Sequence, residues 1–148
     1  MGKADVRTGT AADLAAVHGL VRELAIYERA EDQFTASIAD YEADFAAGVF
    51  EIAVAELNDK IVGMTLFYVA YSTWRGKMLY LEDFVVQEKF RGQGVGLLLY
   101  RNFLQIAHEK NCRMVKWQVL DWNTPAIQFY KKNGATIEHE WYNGKIIF

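Results

Sequence analysis

A turn with three glycines in five positions constrains the fold more than any other feature of the sequence. Before it, the apolar run MLYLEDFVV (78–86) predicts a strand, and after RGQGVG (91–96) the apolar residues recur with a helical period up to Lys110. Glycine allows backbone turns that other residues avoid, and the first amides of a helix attract an anion such as a diphosphate. The segment therefore predicts a strand, a tight turn and a helix, and the turn is either an anion site or a plain glycine-rich connection.

Patterns along the rest of the chain predict the remaining elements. Helices are expected at about 11–29 and 38–47, and after Asn123-Thr124-Pro125; strands are expected at 5–8, 50–57, 61–71 and 113–120, and as a closing hairpin within 135–148. The order β-α-α-β-β-β-α-β-α-β-β indicates an α+β (mixed α/β) fold. We expect a mixed, mostly antiparallel sheet of about six to seven strands with helices on both faces.

Composition favours one packed domain over 1–148. Of the 148 residues, 52% are hydrophobic and 14% aromatic, which argues for a buried core. The net charge of −3 gives no general attraction to nucleic acid. The single cysteine excludes a disulfide framework, the three histidines show no metal-ligand spacing, and no apolar stretch reaches the length of a membrane span. We therefore expect a soluble cytoplasmic protein without metal, nucleic acid or membrane as a partner.

Two common phosphate-binding motifs are excluded at the glycine turn. No Gly-Lys-Ser/Thr follows it, so it is not a Walker loop. The spacing of Gly92, Gly94 and Gly96 is not G-x-G-x-x-G, and the preceding strands predict hairpins, which argues against a dinucleotide-binding βαβ unit. What remains is Arg91-x-x-Gly94-x-Gly96, directly after the third strand of an antiparallel meander.

That pattern in that place resembles the acetyl-CoA pyrophosphate loop of the GNAT N-acetyltransferase superfamily. Further segments resemble its spermidine/spermine (diamine) and thialysine N-acetyltransferase branch: ELAIYE (23–28), YSTWRGKMLYLEDFVV (71–86), VLDWNTPAIQFYKKNGA (119–135) and the closing EW. The similarity spans nearly the whole chain and is weakest over 30–60. It implies the GNAT fold and direct transfer of an acetyl group from acetyl-CoA to a primary amine of a polyamine, a diamine or a thialysine-like amino acid.

The resemblance also implies how acetyl-CoA is held. The pantetheine arm is expected along the strand at 84–86, the pyrophosphate on the amides of 92–97, and further contacts at and after Asn123. The expected cofactor-binding residues are Phe84, Val85, Val86, Arg91, Gly92, Gln93, Gly94, Val95, Gly96, Leu97, Asn123, Pro125, Ala126 and Tyr130.

The chemistry needs a base, because an alkylammonium with a pKa near 10.4 costs about 4–5 kcal/mol to deprotonate at pH 7. The resemblance implies Glu82 as that base, directly or through a water, and Tyr130 as the proton donor to the leaving sulfur. On a regular strand Glu82 and Asp83 face opposite sides, although a bulge would change this. The alternatives are that both acids are exposed or ion-paired and that Tyr130 is a core aromatic.

Acceptor residues are expected among acids and aromatics. The substrate-binding residues predicted here are Tyr27, Glu28, Glu82, Asp83 and Trp122. Members of the branch are usually homodimers, so a homodimer is expected. Two other functions remain open, namely an acetyltransferase for protein N-termini or lysines, and a non-catalytic acyl-CoA-binding sensor.

Overall fold

The computed structural model describes residues 2–148, which form two compact units, one ending at Gln118 and the other spanning Val119–Phe148. The first unit contains the sheet and three helices, and the second contains one helix. The strands are β1 (Asp5–Thr8), β2 (Glu51–Leu57), β3 (Lys60–Ser72), β4 (Gly76–Val86) and β5 (Met114–Trp117); the helices are α1 (Leu14–Tyr27), α2 (Ile38–Ala46), α3 (Val95–Glu109) and α4 (Thr124–Lys132).

The strands form one sheet in the order β1-β2-β3-β4-β5. Neighbours are antiparallel except β4 and β5, which are parallel. The β4–β5 register ends where Leu81 lies opposite Trp117, whereas β4 continues to Val86. Pairing between the two strands therefore stops before Glu82, and β5 is shorter than the 113–120 expected from the sequence.

Local turn chemistry fixes the antiparallel meander. Asn58 and Asp59 both have positive φ, 52° and 63°, as a two-residue type I′ hairpin requires. At the next turn the Ser72 hydroxyl accepts hydrogen bonds from the amides of Trp74 (3.3 Å) and Arg75 (3.1 Å). These two turns place β2, β3 and β4 side by side, as the sequence predicted.

Helix starts also follow the predicted caps. Ser37 Oγ accepts a hydrogen bond from the amide of Asp40 at 3.0 Å, at the start of α2. Before α1, Thr10 and Asp13 form a reciprocal capping box around a short 3₁₀ turn. Asp13 also accepts two hydrogen bonds from the Arg7 guanidinium, at 2.8 and 2.9 Å, which ties β1 to the start of α1.

Apolar side chains cover both faces of the sheet. On one face α1 and α2 pack over a cluster that includes Ile52, Val54, Met64, Leu66 and Val85. On the other face α3 packs over two clusters that include Ala53, Ala55, Phe67, Leu79 and Leu81. The expected α+β fold, with a mixed, mostly antiparallel sheet between helices, is confirmed.

The predicted closing hairpin is wrong, since residues 135–148 contain no strand. The sheet described over residues 2–148 therefore has five strands instead of six to seven. An isolated two-stranded hairpin is marginal in water, so alternation and a turn sequence do not form one without a neighbouring strand. The apolar residues that suggested the last strand, Ile146, Ile147 and Phe148, are exposed.

Candidate active site

A bulge in β4 sets the geometry of the site. Leu66 of β3 lies opposite Asp83, whereas the next residue, Phe67, lies opposite Leu81. Glu82 is therefore an extra residue in β4 with no counterpart in β3. Such a bulge shifts the in-and-out alternation of the strand by one residue, so odd and even positions exchange faces after it.

Both acids lie on the α1 face as a result. Leu81 packs on the α3 face, so the next residue, Glu82, points to the α1 face. Val85 packs on the α1 face, and Asp83, two residues before it, points the same way. The hydroxyl of Tyr68, also on the α1 face by alternation along β3, donates to Glu82 Oε1 at 3.3 Å. The expectation that the two acids face opposite sides holds for a regular strand and is wrong here because of the bulge.

Two tyrosines line the exposed Glu82. Tyr68 and Tyr80 lie opposite each other across the ladder and their rings stack, with centroids 5.4 Å apart and planes 23° apart. Burial, followed by the charge of Glu82, raises the pKa of Tyr68 to about 12 and raises that of Tyr80 above its usual value. Both phenols therefore stay protonated near neutral pH and can donate to a carboxylate or to a ligand.

Asp83 is half-buried, and its carboxyl titrates near neutrality. Burial raises its pKa to about 7, with further increases from the charges of Glu82 and of Glu28 at the end of α1. Burial also raises the pKa of Glu28. The charges that raise the pKa of Asp83 both come from carboxylates. The three predicted residues therefore form an acidic patch that favours a cationic ligand or a proton.

Tyr41 of α2 completes the surroundings of the patch. Its ring packs edge-on against His18 and Phe50, with centroids 5.0 and 6.0 Å away. Burial, followed by the charges of Asp83 and Glu82, raises the pKa of Tyr41 to about 12.

Tyr41, Tyr68 and Tyr80 were not among the site residues predicted from the sequence. The pairing of Tyr68 with Tyr80 could have been predicted, because a hairpin that turns at 72–76 places these two residues opposite each other. Tyr41 lies in the segment where no family pattern is recognisable, and its role follows only from the packing of α2.

The glycine loop presents bare backbone at the start of α3. Gly92 and Gly94 have φ of 76° and 85°, and a Cβ built on either would meet no atom within 4 Å. The first hydrogen bond of the helix joins the amide of Leu98 to the carbonyl of Gly94, at 3.1 Å. The amides of Val95, Gly96 and Leu97 precede that bond and are the donors that a helix start offers to an anion.

Arg91 connects this loop to the end of α1. Its Nε donates to the carbonyl of Val86 at 3.0 Å, and its guanidinium carbon lies 5.4 Å from the centre of the Tyr27 ring. The cleft beside this contact, about 310 Å³, is lined by Glu23, Ile26, Tyr27, Val85, Val86, Gln87, Glu88 and Arg91. The structure thus brings a predicted acceptor residue together with three predicted cofactor residues.

The second unit carries the other predicted site residues around α4. Asn123 Oδ1 accepts a hydrogen bond from the amide of Ala126 at 3.4 Å, and Pro125 occupies the first turn. Tyr130 is buried, 8% exposed, and its ring lies edge-on to Phe129 at 5.7 Å. Trp122 is exposed just before the helix. The ligand-binding and catalytic roles expected of these residues stay predictions.

Residues 2–148 show neither a metal-ion cluster nor a membrane-spanning helix. No three His, Cys, Asp or Glu side chains are placed to hold a metal ion together. No helix in this part of the chain is long and apolar enough to cross a membrane.

Comparisons with known proteins give one consistent result. A model of the acetyltransferase (GNAT) family matches residues 15–135. Thialysine N-epsilon-acetyltransferase of Bos taurus is 36% identical over 140 residues, covering 88% of this chain and 82% of the relative. Spermidine/spermine N(1)-acetyltransferase-like protein 1 of Homo sapiens is 32% identical over 149 residues, covering 93% of this chain and 21% of the relative.

The fold has close structural counterparts as well. A crystal structure of an aminoglycoside acetyltransferase from an uncultured soil metagenomic sample matches with a TM-score of 0.81 at 21% identity. The match covers 98% of this chain and 96% of the other. It shows a shared fold.

Proposed function

The chain belongs to the acetyltransferase (GNAT) family and is an acetyl-transferring enzyme, and from that membership we propose that acetyl-CoA is its donor and a small primary amine its acceptor. The acidic patch of Glu28, Glu82 and Asp83 carries the proposal, because it attracts an ammonium ion and contains a carboxyl that titrates near neutral pH. The names of the relatives favour thialysine, a diamine or a polyamine as acceptor.

The donor set of the glycine loop fits acetyl-CoA. The amides that begin α3, the open space beside Gly92 and Gly94, and the Arg91 guanidinium suit a pyrophosphate. Residues 84–86 lie beyond the last β5 pair, on the edge of β4 where a pantetheine arm would add backbone hydrogen bonds. Acetyl-CoA supplies an acetyl group activated as a thioester.

Glu82 and Asp83 would bind the ammonium and take its proton. Removing that proton at pH 7 costs about 4–5 kcal/mol from a free alkylammonium. A carboxyl with a pKa of about 7, as Asp83 has, can exchange protons near neutral pH. On the family resemblance we assign the proton acceptor to Glu82, directly or through a water, with Asp83 beside it as the group that can share the proton.

The remaining roles follow the same resemblance. Tyr130 would donate a proton to the departing sulfur, since a phenol is a competent donor and the segment around it matches the branch motif. Tyr27, Glu28 and Trp122 would contact the rest of the acceptor.

The exposed apolar residues Tyr71 and Trp74, at the β3–β4 turn, favour a homodimer in which a second copy covers them.

The test is release of free coenzyme A over many turnovers with a panel of amines: thialysine, spermidine, putrescine and lysine. We expect turnover with at least one of them. Release only with peptides would indicate a protein acetyltransferase. Binding of acetyl-CoA without turnover on any acceptor would indicate a sensor. Either result would contradict the proposal.

A further inference from the structure

Tyr41 packs on the face of the sheet that carries the Glu82–Asp83 pair. It comes from α2, whereas Tyr68 and Tyr80 come from β3 and β4. It packs on the same apolar cluster as Leu66, which lies directly across the ladder from Asp83. The face that carries the acid pair thus holds tyrosines from three separate elements.

The position of Tyr41 is fixed by its neighbours. The rings of His18 and Phe50 contact it from α1 and from the segment before β2. His18 Nε2 also lies 2.8 Å from the carbonyl of Ala36, which ties α1 to the segment just before α2. A ring held in this way keeps its place when a ligand arrives, as a side chain that selects by shape must do.

We infer that Tyr41 is a specificity-determining residue, whose ring forms a wall beside the Glu82–Asp83 pair and excludes amines that carry a substituent on the amino-bearing carbon. This inference rests on the proposed function. On this arrangement an unbranched carbon is expected to fit beside the ring, and one extra methyl group next to the reacting nitrogen is expected to collide with it. The ring, not the hydroxyl, does the excluding, so phenylalanine at this position preserves the selection.

The experiment compares kcat/KM for two acceptors and their hindered analogues. Thialysine and putrescine are each paired with an analogue that carries a methyl group on the carbon of the reacting amine. Wild type and Tyr41→Phe should both prefer the unbranched amine by about tenfold or more, the usual effect of one methyl group in a shaped pocket. In Tyr41→Ala the preference for the unbranched amine should fall by at least about tenfold. In Tyr41→Leu it should fall by less, because leucine keeps part of the apolar volume.

Controls separate selection from a loss of folding. Tyr142→Ala removes a fully exposed tyrosine and should leave the preference unchanged. Thermal unfolding checks each variant, and Tyr41→Leu keeps apolar volume if Tyr41→Ala unfolds. An unchanged preference in folded Tyr41→Ala or Tyr41→Leu, with normal turnover in wild type, would contradict this inference and leave the proposed function intact. No turnover of any of the amines by wild type would contradict both.

Discussion

At the scale of single residues, Asp83 links the site to stability. Its pKa is raised to about 7 in the fold, so the folded chain retains a proton that the unfolded chain has already lost. The stabilisation is therefore complete below about pH 4 and is lost as the pH rises through 7.

Asp83→Asn should remove this pH dependence. The difference in free energy of unfolding between the variant and wild type near pH 4 serves as the reference. At pH 8 the variant should gain about 2–4 kcal/mol relative to wild type, because only wild type must then hold a half-buried charge. Urea unfolding at both pH values measures this, and a difference between the two proteins that does not change with pH would contradict it.

Tyr130 is tested by deleting one oxygen atom. Tyr130→Phe should lower turnover about 10²–10⁴-fold, because the leaving sulfur loses its proton donor while the aromatic ring keeps its packing. Binding of acetyl-CoA, followed by calorimetry, should persist. Tyr142→Phe, at a fully exposed tyrosine, is the matched control. An unchanged rate in Tyr130→Phe would remove this residue from the mechanism.

At the scale of elements, the loop before α3 can be tested against a glycine of the same conformation elsewhere. Gly94 and Gly48 both have positive φ, 85° and 75°, and a Cβ at either would meet no atom within 4 Å. Alanine at either position should cost about 1 kcal/mol of stability. Only Gly94→Ala should also weaken acetyl-CoA binding, by about tenfold or more, because its methyl group occupies space beside the helix amides. Equal binding in the two variants would argue against this loop as the site.

Elements whose signals are local were predictable from the sequence. Ser37 and Asn123 cap helices within three residues of themselves, and Asn58-Asp59 closes a hairpin by its own backbone preference. The bulge at Glu82 was not predictable, because it depends on the register between two long strands. The closing hairpin was predicted wrongly for a related reason, since a strand forms only where a neighbour pairs with it.

The same distinction applies to the candidate site. Family motifs pointed to Glu28, Glu82 and Asp83, and in the structure the charges of Glu82 and Glu28 both raise the pKa of Asp83. Motifs did not identify Tyr41, because its importance comes from how α2 packs on the sheet. The glycine pattern located the amides at the start of α3, such as that of Val95, which we propose bind the pyrophosphate.

At the scale of the whole molecule, a homodimer is the expected assembly. The side chains of Tyr71 and Trp74 are 71% and 86% exposed at the β3–β4 turn, an apolar pair that a second copy would cover. Light scattering after size exclusion should give twice the chain mass of 16.9 kDa, and Trp74→Asp should shift the protein toward one chain mass. Thr73→Asp, in the same turn, is a control with the same added charge. A single chain mass for wild type would contradict this expectation.

The central claim is that the Glu82–Asp83 pair takes a proton from a small amine, and the pH dependence of Glu82→Gln tests it most directly. At pH 7 the variant should lose about 10²–10⁴-fold in kcat/KM for the best amine, since it lacks the base. As the pH rises toward the pKa of the amine, more of the amine is already deprotonated in solution and needs no base. The rate of the variant should therefore approach that of wild type. A variant as active as wild type at pH 7 would contradict the account.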